Sequence, residues 1–249
     1  MKFTIETIKA GEDLLKCLRA ILGTCGFDEL SFSPERWTRL ADVGAKAGLS
    51  PLLFRGLPVA DASLGIPQDV ISRWLHDYLA SKAWNDRLYQ CLAQVLAVFN
   101  REGISAIVLK GVYLMDTLYP ERAMRTVGDI DILLHPEDKA RSMRIMEELG
   151  YVCFTSPFLK DPSQYGYSQP NSNVVVELHF QIDTDTQQEP DILGFWERSQ
   201  TIEINGQKAR ALTPEDLLVH LCLHLTHHPA CCPPEYSHRL CALWWISPS

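Results

Sequence analysis

The stretch RTVGDIDILLH, from Arg125 to His135, places two aspartates in a segment whose apolar residues predict a buried strand. Residues two apart on a strand point to the same face, so Asp129 and Asp131 would project side by side. Neighbouring carboxylates repel each other, which raises a pKa unless a cation neutralises them. Hard divalent ions, above all Mg²⁺, suit such a pair. Taken alone, the pair favours acids that only face water at a strand end; the phosphate site predicted upstream of it is what favours a metal site.

A third carboxylate would complete such a site. Glu177, in VVVELHF, is the candidate, because its segment predicts a further strand of the same sheet. Three converging carboxylates can hold two ions about 3.5–4 Å apart for in-line displacement at phosphorus. His179 shares a strand face with Glu177, which predicts either that it orients the ligands or substrate, or that it is an ordinary sheet histidine. Asp183 and Asp185, in QIDTDT, form a rival pair, but their polar surroundings favour a solvated loop.

A phosphate site is predicted upstream of the aspartates. In IVLKGVYLM a short strand is followed by Lys110, Gly111 and Val112 and then by a helical pattern. The free N–H groups and the dipole of a helix N-terminus attract phosphate. Arg125 could reach a phosphate or pair with an acid, and a surface arginine is the alternative.

Three regions must position these residues. Apolar residues at helical spacing predict that residues 1–102 form a helical N-terminal region. It has a helix start at Ser33-Pro34 and one long helix or two abutting helices before Gly103. Residues 103–212 predict an α/β (α+β) sheet domain that includes a hairpin at Asn205-Gly206. Residues 213–249 predict a helix capped by Thr213 and started by Pro214, and then an irregular tail.

Composition and charge exclude several classes of function. The chain has 249 residues, is 46% hydrophobic and carries a formal net charge of −8, which disfavours a long nucleic acid or an anionic membrane as partner. The sequence predicts neither a signal peptide nor a membrane span, so the expected location is cytoplasmic. The eight cysteines are then expected to be free thiols.

The run IVLKGVYLMDTLYPERAMRTVGDIDILL, followed by VVVELHF and LCLHLTHH, resembles a bacterial nucleotidyltransferase-like family of the DNA polymerase β superfamily. The resemblance covers roughly residues 60–228 and rests on Lys-Gly, Tyr-Pro, Arg, Gly-Asp-x-Asp and Glu-x-His landmarks. It implies a polymerase β-like core with a mixed sheet, and an active site at the sheet edge where the two aspartates emerge.

The resemblance also implies roles for individual residues. Asp129, Asp131 and Glu177 would bind two catalytic Mg²⁺ ions. Lys110-Gly111 stands where the wider superfamily has Gly-Ser, so the Lys110 ammonium and the amides of Gly111 and Val112 would hold the triphosphate of an NTP. Arg125 and Gly128, which flank the aspartates, are also expected near the nucleotide.

The predicted reaction transfers a nucleoside monophosphate from an NTP to a hydroxyl of an acceptor and releases pyrophosphate. The acceptor is a small molecule or a protein, and the sequence does not choose between them. One alternative is a catalytically silent relative that binds only a nucleotide or a partner. A second is a zinc-stabilised interaction module, prompted by a group of histidines and cysteines near the C-terminus. These residues are His220, His224, His227, His228, Cys231, Cys232 and Cys241.

Overall fold

The computed structural model describes residues 5–155, 163–182 and 192–227. These residues divide into two compact units. The first comprises the described residues up to Asp86 and the segment Leu118–Val127. The second comprises Arg87–Thr117 and the described residues from Gly128 onward. The predicted pair Asp183 and Asp185 and the predicted tail after Pro229 lie outside the described residues.

The first unit is helical, as the sequence predicts. Ser33 precedes a helix that has Pro34 at its first position, where the fixed φ of proline fits and its missing N–H is not needed. Trp37 and Trp74 are buried in this unit with their rings edge to face, 6.2 Å between centroids. The helices are α1 (Ile5–Ile21), α2 (Pro34–Lys46), α3 (Ser50–Gly56) and the first part of α4 (Gln68–Arg101).

The segment Leu118–Val127 is held in the first unit by polar contacts. Asn85 Nδ2 donates to the backbone carbonyls of Arg122 and Arg125, at 2.7 Å each. Trp84 Nε1 donates to the carbonyl of Val127 at 2.8 Å. Because unpaired carbonyls are costly to bury, these bonds fix the backbone that leads to Gly128.

The second unit is built on a mixed sheet of seven strands within the described part of the chain. In spatial order the strands are β3, β4, β5, β2, β1, β7 and β6; β2 is parallel to β5, β1 is parallel to β7, and the other neighbours are antiparallel. The strands are β1 (Ala106–Val108), β2 (Ile130–Leu134), β3 (Val152–Cys153), β4 (Gln164–Ser168), β5 (Val175–His179), β6 (Gln200–Ile204) and β7 (Gln207–Ala211).

The helices of the second unit follow the strands along the chain. Helix α8 begins as predicted, with Thr213 Oγ1 accepting from the Asp216 N–H at 3.3 Å and Pro214 at the first position. The helices that follow strands are α5 (Lys110–Thr117), α6 (Lys139–Glu148), α7 (Ile192–Arg198) and α8 (Pro214–His227). The rest of α4, from Arg87 onward, also belongs to this unit. No helix of the described residues is both long enough and apolar enough to cross a membrane.

The mixed α/β fold class is confirmed, and so is the long helix before Gly103, which forms as α4. The hairpin is also confirmed: Asn205 and Gly206 join β6 to β7, with φ of 50° and 78°. Strand β4 and helix α7 were not predicted. The three-part division of the chain at residues 102 and 212 stays a prediction.

Candidate active site

The register of two parallel strands brings the predicted acids together. Asp131 of β2 lies opposite Glu177 of β5, so the two side chains project from the same face of the sheet. His179 is two residues beyond Glu177 and faces the same way. The opposite face carries Ile132 and Leu178, both 0% exposed. Alternation along both strands therefore separates a polar face from the apolar core.

Asp131 is the most enclosed acid of the site. Its side chain is 3% exposed, and its Oδ1 accepts from Lys110 Nζ at 3.0 Å and lies 2.9 Å from His179 Nε2. Burial alone would raise the pKa of Asp131, but the hydrogen bond with His179 and the ammonium of Lys110 hold that pKa well below its usual range. Asp131 is therefore a fixed negative charge.

Asp129 has a different environment from Asp131. It is half-buried, one residue before the first residue of β2. Burial, with the negative charges of Asp131 and Glu177, raises the pKa of Asp129 to about 6. A cation bound nearby would reverse this effect, because it favours the ionised carboxylate.

Three side chains among the described residues lie close enough together to bind a single ion. One ligand atom each from Asp131, Glu177 and His179 lies within 4.8 Å of the other two. His179 Nε2 is 3.6 Å from Glu177 Oε2, and the Glu177 side chain is 25% exposed. Two carboxylates and an imidazole suit a divalent cation, and the carboxylate oxygens are the donors that Mg²⁺ prefers. Asp129 does not belong to this group of three.

Lys110 connects the acids to the predicted phosphate site. It is the first residue of α5 and has a φ of 41°, a left-handed conformation that is costly for a residue with a side chain. The N–H of Leu109 donates to the carbonyl of Asp131 at 3.0 Å, so the start of α5 is fixed to β2. Gly111 and Val112 follow in the first turn, where helix N–H groups lack partners within the helix.

Helix α8 brings two histidines to the same region. His224 Nδ1 lies 3.4 Å from Lys110 Nζ, a contact between residues 114 positions apart. His220 is 5% exposed, and neither of its ring nitrogens has a hydrogen-bond partner among the described residues. Burial and the charge of Lys110 lower the pKa of His220 to about 3. The sequence had suggested zinc binding for this helix, and it offered no signal for the contact with Lys110.

The structure also describes the other two predicted nucleotide-binding residues, Arg125 and Gly128. Arg125 belongs to the first unit, is 6% exposed, and has its guanidinium 5.7 Å from the centre of the Tyr119 ring. Gly128 is exposed and belongs to the second unit, where it begins the segment that follows Val127. The roles of Arg125 and Gly128 stay predictions.

The zinc hypothesis involves residues that are only partly described. His220 and His224 have ring centroids 6.5 Å apart, and within the described side chains they do not form a metal-binding group. The His227 side chain and His228, Cys231, Cys232 and Cys241 lie outside the described residues. The cysteines that are described, Cys17, Cys25, Cys91, Cys153 and Cys222, are free thiols.

A mixed sheet with two facing acids, a lysine and the start of a helix beside them is the arrangement implied by the resemblance to nucleotidyltransferases. Residues 33–246 match the model of a protein family described as "Uncharacterised nucleotidyltransferase". Because the match covers most of the chain, the protein belongs to this family, and the predicted membership of a nucleotidyltransferase family is confirmed.

Solved structures with similarity to the chain include three nucleotidyltransferase-related proteins. The lincosamide antibiotic adenylyltransferase LnuA, with lincomycin bound, is 18% identical over 51% of this chain and 82% of its own, with a TM-score of 0.39. The antibiotic-resistance factor ANT(2'')-Ia is 12% identical over 64% and 83%, with a TM-score of 0.45. An antigenic nucleotidyltransferase-like protein from Paracoccidioides brasiliensis is 17% identical over 64% and 75%, with a TM-score of 0.41. Comparison with the curated proteins gives no significant match. The family assignment rests on the match of residues 33–246.

Proposed function

We propose that the protein is a Mg²⁺-dependent nucleotidyltransferase that moves a nucleoside monophosphate from an NTP to a hydroxyl of a small-molecule or protein acceptor. The observation that carries this proposal is the pairing of Asp131 with Glu177 on one sheet face, with Lys110 Nζ 3.0 Å from Asp131. Metal-bridged phosphoryl chemistry needs clustered carboxylates more than it needs a nucleophilic side chain. An NTP-dependent reaction and free thiols suit a cytoplasmic location.

Asp129, Asp131 and Glu177 would hold two Mg²⁺ ions. Bound there, the ions would lower the pKa of the attacking hydroxyl and neutralise charge on the phosphates. The low pKa of Asp131 suits a permanent ligand, because this carboxylate stays ionised throughout the physiological range. His179 orients Asp131 through the 2.9 Å contact between Nε2 and Oδ1.

The amides of Gly111 and Val112 at the start of α5 bind the β- and γ-phosphates, with Lys110 adding a positive charge. Arg125 and Gly128 are proposed to approach the same nucleotide. The acceptor oxygen forms a bond to the α-phosphorus while the bond from that phosphorus to the bridging oxygen breaks, and pyrophosphate leaves. Glu177, which is more exposed than Asp131, accepts the hydroxyl proton.

One observation favours a second candidate function. Lys110 pairs with the buried Asp131, and His179 contacts the same carboxylate oxygen, an arrangement that also suits a relative that binds a nucleotide or partner but does not catalyse transfer. In that case Lys110 would be a permanent replacement for the cation.

The test is pyrophosphate release from each of the four NTPs with Mg²⁺, in the presence of candidate hydroxyl compounds and of water alone. Glu177→Gln should lower the rate about 10²-fold or more, the usual scale for losing an electrostatic catalytic group. Glu203→Gln is the matched control, because Glu203 is an exposed acid on β6 of the same unit. Equal rates in the two variants would contradict the proposal, and NTP binding without turnover would favour the silent relative.

A further inference from the structure

An exposed aromatic ring lies beside the acidic cluster. Phe154 directly follows β3, at the edge of the sheet, and its N–H donates to the carbonyl of Gly166 in β4 at 2.9 Å. The residue is 56% exposed, and Val152, two residues earlier, is 55% exposed. This edge of the sheet therefore presents two exposed apolar side chains close together.

The ring of Phe154 occupies the place where residue 166 would carry a side chain. A Cβ added at Gly166 would overlap Cζ and Cε2 of Phe154. The ring therefore lies against the backbone of β4, and this arrangement is possible only because residue 166 is glycine. The residue is 56% exposed, so part of its ring surface is left uncovered by the residues that the structure describes.

The sheet register places this ring on the same face as the catalytic acids. Gly166 lies opposite Glu177, and Glu177 lies opposite Asp131. Directly opposed residues share a face. The ring of Phe154, which lies over Gly166 of β4, therefore forms one row with Glu177 of β5 and Asp131 of β2. Neighbouring strands are about 4.8 Å apart, so the ring lies within the reach of a small molecule that contacts Glu177.

The order of the strands decides which part of a substrate would meet the ring. The phosphate site follows β1, on one side of the acids, whereas Phe154 lies beyond β5 on the other side. In an in-line displacement the nucleophile approaches from the side opposite the leaving pyrophosphate. The Phe154 side is therefore the acceptor side.

We propose that Phe154 binds the acceptor, and that the acceptor is a hydroxyl compound with a flat apolar ring that stacks on the open face of Phe154. This inference rests on the proposed function for the direction of attack. Stacking on Phe154 places the acceptor hydroxyl near Glu177, while exposed Val152 extends the apolar surface along the edge strand. An acceptor without a ring would lose this contact.

A purely structural role for Phe154 makes a different prediction. An aromatic side chain over a glycine can serve only to cover the exposed backbone of neighbouring strands. Leucine would cover Gly166 about as well but offers no flat face for stacking. Phe154→Leu therefore separates backbone cover from ring binding.

The experiment measures binding of 2-phenylethanol and of ethanol to the full chain by ¹⁵N NMR, observing the amides of Gly166 and Glu177. The native protein should bind 2-phenylethanol at least about tenfold more tightly than ethanol, the scale of one stacking contact. Phe154→Leu and Phe154→Ala should remove this difference, and Phe154→Trp should keep it. Leu193→Ala is the control, because Leu193 of α7 is 73% exposed and has no part in the proposal.

Each outcome decides the inference. Loss of ring preference in Phe154→Leu, with an unchanged melting temperature, supports it, and this variant suffices if Phe154→Ala does not fold. Equal binding in native protein and Phe154→Leu overturns it. Weaker ATP binding in Phe154→Leu, with 2-phenylethanol binding unchanged, also overturns it, because the ring would then serve the nucleobase. Binding needs no turnover, so a protein that binds the ring but releases no pyrophosphate would fail only the proposed function.

Discussion

The ammonium of Lys110 and the carboxylate of Asp131 form a buried ion pair, with Nζ and Oδ1 3.0 Å apart and side chains 11% and 3% exposed. Lys110 adopts a positive φ of 41° at the first residue of α5. Backbone strain of this kind persists only where the surrounding contacts hold it, and it is frequent at functional sites. The pair supplies the opposite charge that a buried aspartate requires.

Lys110→Met should destabilise the metal-free protein by about 3 kcal/mol, because breaking a buried ion pair leaves an uncompensated charge. The measurement is urea unfolding in the presence of EDTA. Lys208→Met is the control, since Lys208 is exposed on β7. If Lys110→Met unfolded like the control, the ion pair would contribute nothing to stability.

Mg²⁺ should stabilise Lys110→Met more than it stabilises the native protein. The ammonium and the ion compete for Asp131, and a ligand that binds only the folded state raises the melting temperature by mass action. Thermal unfolding over a series of Mg²⁺ concentrations checks this expectation. A smaller rise in the variant than in the native protein would mean that Lys110 helps to bind the ion.

Asp129 should make the metal-free protein less stable as the pH rises from about 4 to about 6. Its pKa is raised to about 6 in the folded state from 3.8, so the stability that it contributes is present below pH 3.8 and is lost as the pH rises through 6. Asp129→Asn should remove this slope. Urea unfolding with EDTA at several pH values tests it, and an unchanged slope in the variant would assign the effect to another group.

His220→Leu should stabilise the protein at neutral pH by about 1 kcal/mol, because an apolar side chain replaces a buried imidazole that has no hydrogen-bond partner among the described residues. The pKa of His220 is about 3 in the folded protein, below the usual 6.5. As the pH falls from 6.5 toward 3, protonation of this imidazole favours the unfolded state, so stability that is present above pH 6.5 is lost. The variant should lose that part of the acid sensitivity. A large loss of stability at pH 7 would show that the ring has an essential partner.

Asp216→Ala should destabilise the second unit by about 2 kcal/mol. Arg198 donates to both carboxylate oxygens of Asp216, at 2.8 and 2.9 Å, and Thr213 Oγ1 lies 3.1 Å from the same carboxylate at the start of α8. The adjacent acid Glu215 is exposed, so Glu215→Ala is the matched control for urea unfolding. Equal stabilities of the two variants would show that the Arg198 contact does not hold α8.

The sequence predicts the sheet face of the site because strand alternation is a local property. The apolar residues around Asp131 and around Glu177 predict two strands, and alternation along each strand is enough to separate these acids from the apolar core. The Asn205-Gly206 turn and the Thr213-Pro214 helix start are local signals of the same kind.

Other features depend on tertiary contacts and cannot be predicted locally. The bond between Lys110 and His224 joins two elements 114 residues apart. The short segment QYGYS has a central glycine and polar ends, so β4 lacks the apolar pattern of a strand and forms because β5 pairs with it. The return of Leu118–Val127 to the first unit rests on side chains of α4 that bind its carbonyls.

A crystal structure of the protein with Mn²⁺ and a non-hydrolysable NTP analogue tests the central claim most directly, because Mn²⁺ replaces Mg²⁺ and its anomalous scattering locates it. We expect Mn²⁺ bound by carboxylate oxygens of Asp131 and Glu177, at the usual distances of about 2.0–2.4 Å for hard cations, with the triphosphate at the start of α5. Mn²⁺ bound elsewhere, or a nucleotide bound while Lys110 still pairs with Asp131 and no ion is present, would contradict the account.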